Sequence, residues 1–386
     1  MFGSVGIAGT GGVAGAAKFS GAPIHIAMLT DLTAPAEGFN FTEAAGGAEA
    51  AVDAVNAAGG IHGHKLELTI CNGKGTPNAE DACARTAVKS KAVATIGGAM
   101  FINAMAPILC PAHIAEIMEN PALPAELAKT ATCVFPVNGS AFLGSIGELE
   151  MATKYIHATK VSLMAVGSAA GALYASVKAV APSLGAKVVE TVTVTGSTTT
   201  LTPDVEQAAS NGSQAIILLM PPTNSARVIA ALHENDIKVP PITITLTPQD
   251  LKSLGSTVAG AYEINYFPTL NDTAVPGVKM FLSEMKKYEP TTLLDGTSMI
   301  PWLGVHMFAE VASKLKTVTR QSVLQAWTTA TDVNGYGLIP PYSTNKPYTG
   351  LGGLFPRAFN DTYWYAKFKG TTAYLLVDHA VSVPAT

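Results

Sequence analysis

The chain has 386 residues, of which 48% are hydrophobic and 13% are charged. This composition excludes a disordered protein and is sufficient for two ordinary domains with a large buried core. The formal net charge is −4, and the Lys and Arg residues are dispersed singly along the chain. It therefore lacks the basic footprint with which proteins bind nucleic acid or anionic lipid.

Residues 1–22 are rich in Gly and Ala. They lack the basic start and the uninterrupted apolar stretch of a secretory signal. Gly9, Gly11 and Ala14 match the spacing of a dinucleotide-binding loop, but no strand precedes them and no acidic residue follows at the distance that this motif requires. We expect residues 1–22 to form a flexible leader.

From Pro23 onward, short apolar runs alternate with amphipathic segments. The longest apolar run, Ala215–Met220, suits a buried strand and is far shorter than the roughly 18 to 20 residues that cross a bilayer. After the first run, apolar residues recur at helical spacing from Ala45 to Val55, and Gly59 and Gly60 are a typical helix stop. The predicted strands are IHIAMLT from Ile24, KLELTI from Lys65, AVATIGG from Ala92, KVSLMAV from Lys160, KVVETVTV from Lys187, QAIILLM from Gln214, PITITL from Pro241 and YWYAKF from Tyr363.

The alternation of strands and helices occurs twice, from about Ile24 to Ala131 and from about Leu143 to Gly260. Continuous apolar strands separated by helices are typical of parallel sheets covered on both faces. We therefore predict an α/β fold with two doubly wound parallel-sheet lobes. Because ligands bind beyond the carboxyl ends of parallel strands, we expect function to lie in a cleft between the lobes.

The stretch from Ala57 to Val88 contains two histidines and two cysteines, which could bind a metal, take part in redox chemistry or form disulfides. His62 and His64 lack the further ligands of a zinc site, and no Cys-x-x-Cys pair is present. The four cysteines allow three disulfide pairings, and we favour Cys71 with Cys83 and Cys110 with Cys133, since each joins neighbouring parts of one βα unit. Such disulfides indicate an oxidising compartment and hence export.

The residues give little support for catalysis. Ser168 is preceded directly by a glycine and does not fit a Gly-x-Ser-x-Gly nucleophile turn. The segment around Lys74 lacks the glycine and hydroxyl residue of a phosphate-binding loop. Asp31, Glu37 and Asp250 lie near strand ends, where an isolated carboxylate is more often a helix cap than a base.

One segment points to a known family. Asn56–Leu68 follows the pattern N-x-x-GGI-x-G-x-x-L-x-L, which resembles the amino-terminal lobe of type I periplasmic solute-binding proteins, in the branched-chain amino acid (Leu/Ile/Val) receptor subfamily of ABC importers. The segments PALPAELA from Pro121, TLTPDVEQAASNGSQ from Thr200 and DGTSMIPWLGVHMF from Asp295 agree with that family. The resemblance covers roughly Pro23 to Asp378.

The resemblance implies a two-lobe clamp that closes on a solute by hinge motion and then docks on a membrane permease. The chain should cross between lobes near Pro136–Phe142, Asn265–Pro268 and Tyr336–Pro340. The implied lobes are residues 23–137 with 268–337, and residues 138–267 with 338–386. We therefore expect an extracytoplasmic receptor in the periplasm or at the cell surface, with a lipid anchor as an open alternative, and with no cofactor, no metal and no enzymatic activity. A ligand-sensing domain or an enzyme are the lesser alternatives.

The expected ligand-binding residues differ from those of the amino acid receptors of this family. Where those receptors place a Ser after the third strand, this chain has Phe101 and Ile102. Where they place a Thr after the fourth, it has Leu123, and the position of the ammonium-binding acid falls within Thr247–Asp250. Because a buried charge without partners is costly, we expect a small, largely apolar or aromatic solute with one or two polar groups.

The candidate ligand-binding residues divide into walls and hydrogen-bonding groups. Gln249 or Asp250 could instead bind an amine, which keeps a branched-chain or other hydrophobic amino acid as the alternative ligand. The alternative role of Phe39 and Phe41 is a hydrophobic staple at the start of the first helix. The alternative role of Trp302 is packing in the core. The walls are Phe39, Phe41, Phe101, Ile102, Leu123, Phe142 and Trp302, and the polar candidates are Asn103, Asn138, Ser168, Tyr174, Thr247 and Gln249.

Overall fold

The computed structural model describes residues 19–34, 39–97, 105–118, 124–167, 170–195, 198–244 and 246–385. The strands in chain order are β1 (Ile24–Thr30), β2 (Thr33–Ala34), β3 (Phe39–Asn40), β4 (Leu66–Asn72), β5 (Ala94–Gly97), β6 (Ala115–Met118), β7 (Val134–Pro136), β8 (Lys160–Val166), β9 (Lys187–Val194), β10 (Ala215–Leu219), β11 (Pro241–Ile244), β12 (Tyr262–Asn265), β13 (Thr362–Lys369), β14 (Thr372–Leu375) and β15 (Val381–Ser382). The helices are α1 (Glu43–Ala57), α2 (Pro77–Lys89), α3 (Ala106–Leu109), α4 (Ala141–Tyr155), α5 (Ala170–Val180), α6 (Thr202–Ala208), α7 (Pro222–Glu234), α8 (Pro248–Leu254), α9 (Pro276–Tyr288), α10 (Gly296–Ser313) and α11 (Arg320–Thr328).

The first lobe is built on a parallel sheet with the strand order β4-β1-β5-β6-β7. Successive side chains of β1 point to opposite faces of this sheet. Ile26 and Met28 pack into the core that contains α1 and α10, whereas Ala27 and Leu29 pack into the core that contains α2 and α3. Helices α9 to α11 therefore belong to this lobe although they follow the second sheet's first five strands in sequence.

Helix α1 lies unusually close to the segment that leads into α10. A Cβ atom on Gly46 would collide with the Thr292 side chain, and one on Gly47 would collide with the Ser298 backbone carbonyl. The two glycines thus allow a backbone approach that a larger residue would prevent. This approach fixes the Thr292 segment relative to the start of α1.

The family-like segment Asn56–Leu68 forms the return from α1 to β4. The Asn56 side-chain amide donates to the Leu66 carbonyl at 2.9 Å and accepts from the Leu66 amide at 2.8 Å. Residues of the expected leader also contact this return, since the Ser20 amide donates to the Gly63 carbonyl at 2.9 Å. Residues 1–18 of that leader lie outside the described residues.

The second lobe is built on a larger sheet with the strand order β14-β13-β12-β11-β10-β8-β9. Strands β8 to β12 pair in parallel, and β13 and β14 add to the edge in antiparallel orientation. Helices α4 and α5 pack on one face, and α6, α7 and α8 pack on the other. The prediction of an α/β fold with two parallel-sheet lobes is confirmed. No helix among the described residues is long and apolar enough to cross a membrane.

The chain passes between the two sheets in residues 137–140, 266–275 and 329–361. The end of the third passage is joined to the first passage, since the Asn360 amide donates to the Val137 carbonyl at 2.9 Å. Contacts on either side extend this junction: Arg357 Nε donates to the Val134 carbonyl of β7 at 3.0 Å, and the Tyr363 hydroxyl of β13 donates to the Ser140 carbonyl at 2.7 Å.

Two disulfides form with the favoured pairing. Cys71, at the end of β4, is bonded to Cys83 in α2, and Cys110, after α3, is bonded to Cys133 before β7. The Cα–Cα distances are 5.5 and 5.1 Å, within the ordinary range for a disulfide. Both disulfides hold helices against the same face of the first sheet.

Glu116 is an acidic residue inside the first lobe. It lies on β6 beside Thr95 of β5, is 2% exposed, and neither of its carboxylate oxygens has a hydrogen-bond partner. Burial raises the pKa of Glu116 from 4.5 to about 8, because the charged form loses its hydration. The folded protein therefore holds this carboxyl in its neutral form at pH 7.

Removing the disulfide between Cys71 and Cys83 should destabilise the fold. We expect the double variant Cys71→Ser, Cys83→Ser to lose about 3 kcal/mol of unfolding free energy, because the unfolded chain regains the freedom of the closed loop. Urea unfolding followed by circular dichroism measures this loss. The matched variant Cys110→Ser, Cys133→Ser should lose slightly more, since 23 rather than 12 residues separate its cysteines. An unchanged urea midpoint in both variants would contradict this account.

Glu116 should make stability fall as the pH rises. Below pH 4.5 the carboxyl is neutral in both the folded and the unfolded chain, whereas between pH 4.5 and about 8 only the unfolded chain readily loses the proton. Since one pKa unit is about 1.4 kcal/mol, we expect Glu116→Gln to be more stable than the wild type by up to about 5 kcal/mol at pH 8 and nearly equal to it at pH 4. Denaturant unfolding at both values tests this. A Glu116→Gln variant that gains no stability at pH 8 would show that the carboxyl has a partner.

Candidate functional site

A cavity of about 670 Å³ lies between the two lobes. This volume is within the usual range of small-molecule sites. The first lobe contributes residues from the start of α1 and from the loop between α9 and α10, and the second lobe contributes residues from the starts of α7 and α8. The lining residues are Phe41, Thr42, Glu43, Thr291, Thr292 and Leu293 from the first lobe, and Pro222, Thr223, Thr247, Gln249, Asp250 and Ser253 from the second.

The second lobe's lining residues belong to helices that begin where strands of its parallel sheet end. Helix α7 begins directly after β10, and α8 begins directly after β11. In a parallel sheet the following helices start at the carboxyl ends of the strands, so their amino termini converge on one edge. Residues at helix amino termini are commonly hydroxylic or acidic because they cap free backbone N–H groups. Hydroxyl and acidic side chains at these termini make the described part of the cavity polar.

The start of α8 is fixed by a closed set of hydrogen bonds. Thr247 Oγ1 accepts from the Asp250 amide at 3.2 Å, and Asp250 Oδ2 accepts from the Thr247 amide at 3.1 Å. The preceding Leu246 amide donates to Glu263 Oε1 at 2.6 Å. Burial raises the pKa of Glu263 to about 7, although its hydrogen bonds to Leu246 and Asn265 act in the opposite direction. These contacts hold the second lobe's side of the cavity in place.

Two carboxylates give the described part of the cavity its charge. Burial, and then the nearby Asp295, raise the pKa of Glu43 to about 7. Asp295 caps α10 by accepting from the Ser298 amide at 2.9 Å, and burial raises its own pKa. Asp250 is the second carboxylate of the lining. None of the described residues that line the cavity is basic, so an anionic group of a solute has no charged partner there.

The structure brings together three of the candidate ligand-binding residues, namely Phe41, Thr247 and Gln249, and places Asp250 beside them. Phe39 belongs to the short strand β3, which pairs with β2. Phe101, Ile102, Asn103, Leu123 and Ser168 lie outside the described residues.

Two further candidates have hydrogen-bonding roles inside the lobes. Trp302 is 0% exposed, and its indole Nε1 donates to Glu284 at 2.7 Å. His306 Nε2 lies 2.8 Å from the same carboxylate oxygen, so the three residues join α9 to α10. Tyr174 is buried and donates its hydroxyl hydrogen to the Val192 carbonyl. Trp302 packs within the core, and the Tyr174 hydroxyl is engaged by backbone, so we leave both out of the proposed site.

The remaining two candidates lie at the passage between the lobes. Phe142, half-buried at the start of α4, contacts Phe355 with ring centroids 5.8 Å apart. Asn138 is 1% exposed, and neither its side-chain nitrogen nor its oxygen has a hydrogen-bond partner. A buried polar group without partners is unfavourable by about 1 to 3 kcal/mol, so Asn138 calls for an explanation.

The sequence analysis missed several lining residues. Thr42 precedes a predicted helix and could have been found as a cap residue, and Glu43 follows it. Thr291, Thr292 and Leu293 carry no such signal, because only the close approach of α1 places them beside the cavity. A second cavity, of about 570 Å³, lies at the outer edge of the second lobe between Gly260 and the hairpin of β13 and β14. Among the described residues, no group of three or more His, Cys, Asp or Glu side chains could hold a metal ion.

Several solved structures have a fold similar to that of this chain. The branched-chain amino acid transporter substrate binding protein LivJ from Streptococcus pneumoniae, in complex with isoleucine, is 17% identical, with a TM-score of 0.73 over 93% of this chain and 99% of that chain. A solute-binding protein of an ABC transporter from Rhodopseudomonas palustris, in complex with 4-hydroxybenzoate, is 16% identical, with a TM-score of 0.75 over 94% and 98%. A fatty acid ABC transporter substrate-binding protein from Thermomonospora curvata is 17% identical, with a TM-score of 0.73 over 95% and 96%.

At such identities the likeness to these structures shows the fold. A search of curated protein sequences gives no match. A family profile described as periplasmic binding protein matches residues 23–349, which is most of the chain and confirms the resemblance seen in Asn56–Leu68. The fold and the profile are those of binding proteins rather than enzymes. The chain belongs to the periplasmic binding protein family.

Proposed function

We propose that this protein is the extracytoplasmic solute-binding receptor of an ABC importer. In this proposal the lobes, residues 23–137 with 268–337 and residues 138–267 with 338–386, close on a small solute and the closed form docks on the permease. The observation that carries the proposal is the cavity lined by both lobes, because closing the hinge would shrink it around whatever it contains. The two disulfides support an oxidising location outside the cytoplasm.

The proposed solute has an apolar or aromatic body and one or two polar groups. Phe41, Leu293 and Pro222 offer apolar surface in the described part of the cavity. The hydroxyls of Thr42, Thr223, Ser253 and Thr291 and the amide of Gln249 offer hydrogen bonds, whereas the Thr247 and Thr292 hydroxyls already donate to Asp250 and Glu289. Because the described lining holds two acidic side chains, Glu43 and Asp250, and no basic one, a neutral polar group suits this part of the cavity better than an anionic one.

An amino acid is the second candidate. Asp250 lines the cavity from the second lobe, where its carboxylate could meet an ammonium group. One of its oxygens, Oδ2, already accepts hydrogen bonds from Thr247, so the other oxygen would have to bind the ammonium. The solved structure of LivJ with isoleucine gives this candidate a precedent among proteins of the same fold.

Binding should stabilise and compact the protein. We expect at least one of benzamide, benzoate, 4-hydroxybenzoate or decanoate to raise the melting temperature, since a solute at 100 times its Kd adds about 2.7 kcal/mol of stability. The same compound should reduce the radius of gyration in solution scattering. Stabilisation by leucine, isoleucine or valine, with none by the aromatic or acyl compounds, would favour the amino acid candidate. Turnover of a bound compound would contradict a receptor.

Phe41 should contribute to affinity. We expect Phe41→Ala to raise the Kd of the stabilising compound by about tenfold or more, since removing an aromatic surface from the cavity loses at least about 1.4 kcal/mol. Isothermal titration calorimetry measures the change, and Phe41→Leu serves as a milder variant should the alanine variant unfold. Tyr374→Ala is the matched control, because Tyr374 lines the second cavity instead. A larger loss in Tyr374→Ala than in Phe41→Ala would place the solute elsewhere.

A further inference from the structure

Asn138 is a buried amide in the first passage between the lobes. We infer that Asn138 is a specificity-determining residue, whose amide binds a paired hydrogen-bond donor and acceptor on the solute, as a carboxamide presents. The inference rests on the proposed function and names the chemistry of the solute's polar end. Its basis is that this side chain is 1% exposed while its nitrogen and its oxygen both lack a partner.

The backbone on both sides of Asn138 is fixed. The Val137 carbonyl accepts from the Asn360 amide at 2.9 Å, and the Ser140 carbonyl accepts from the Tyr363 hydroxyl at 2.7 Å. Gly139 lies so close to Tyr363 that a Cβ atom there would collide with the hydroxyl. The neighbours of Asn138 therefore hold its backbone in place.

The topology places Asn138 at the carboxyl edge of the first sheet, and its side chain is not among the described residues that line the cavity. Asn138 follows β7 at the carboxyl end of that strand and precedes α4 by two residues. Since the other strands of the first sheet run parallel to β7, their carboxyl ends lie at the same edge as Asn138. A solute clamped between the lobes would lie at this edge.

An amide without hydrogen-bond partners lowers the stability of the unliganded protein, but it allows the site to discriminate between solutes. A site built to form two hydrogen bonds rejects a solute that cannot form them, because the site's own polar groups then stay unpaired. The Asn138 nitrogen needs an acceptor and its oxygen needs a donor. A carboxamide supplies both, whereas an ionised carboxylate supplies acceptors alone.

A second buried asparagine provides a matched control. Asn360 lies in the third passage and is 7% exposed, but its amide is fully engaged. Its nitrogen donates to the Val137 carbonyl, and its oxygen accepts from the Thr362 amide at 3.0 Å and from the Thr362 hydroxyl at 2.7 Å. Replacing each asparagine by leucine, which has a similar volume, should thus have opposite effects on the unliganded protein.

The experiment combines thermal unfolding with calorimetric titration of benzamide and benzoate. We expect Asn138→Leu to melt at or above the wild-type temperature without solute, and Asn360→Leu to melt lower by several degrees, on the order of 5 °C. We expect the wild type to bind benzamide more tightly than benzoate, and Asn138→Leu to weaken benzamide binding by about tenfold or more while changing benzoate binding less. Asn138→Ala replaces Asn138→Leu should the leucine variant not fold.

Each contrary outcome is distinguishable from the others. A lower melting temperature of both Asn138 variants would mean that the amide has a structural partner, such as a buried water molecule, and would overturn the inference. Unchanged benzamide binding in these variants, or wild-type preference for benzoate, would overturn it while leaving the receptor function intact. If the wild type binds another compound of the panel but not benzamide, the inference about Asn138 is likewise overturned and the receptor function stays intact. If the wild type binds no panel compound and retains no solute in native mass spectrometry, the proposed function itself fails.

Discussion

Helix amino termini from both lobes border the same cavity, and this constraint determines the chemistry of the site. Helices that follow parallel strands begin at the carboxyl edge of a sheet, so α7 and α8 present their amino termini to the cavity from the second lobe, while α1 does so from the first. The Thr247 and Asp250 side chains, which form the capping box of α8, line the cavity, as does Thr42 at the N-cap position of α1, whose side chain makes no capping hydrogen bond. The polarity of the site thus follows from topology, and specificity depends on the few apolar residues placed among the caps.

The passages between the lobes combine a fixed backbone with buried polar groups. Asn360 and Tyr363 bind the first passage on either side of Asn138, so the lobes share a hydrogen-bonded junction. The Glu284 carboxylate binds both Trp302 and His306 and thereby joins α9 to α10 inside the first lobe. Rigid lobes connected at such a junction suit a movement that preserves each core and changes the angle between lobes.

Much of the fold could be predicted from the sequence because long apolar runs and cysteine spacing are local signals. Every predicted run contains a strand, and both disulfides formed as favoured. The short strands β6, β7 and β12 carried too little periodicity to be found, and β6 even contains the buried Glu116. Phe41, Thr247 and Gln249 were predictable because they flank helix starts, whereas Leu293 reaches the cavity through the glycine contacts of α1, which sequence spacing does not encode. Trp302 packs within the core, and its helical spacing fits a core role as well as a cleft-facing one.

The account's central claim is that a solute binds between the facing carboxyl edges of the two sheets. A crystal structure of the protein saturated with the compound that stabilises it most tests this claim directly. The account predicts density for the compound between Phe41 of the first lobe and the start of α8, with the lobes in contact with it from both sides. Density in the outer cavity beside Gly260 and Tyr374, with the space between the lobes unchanged, would contradict it.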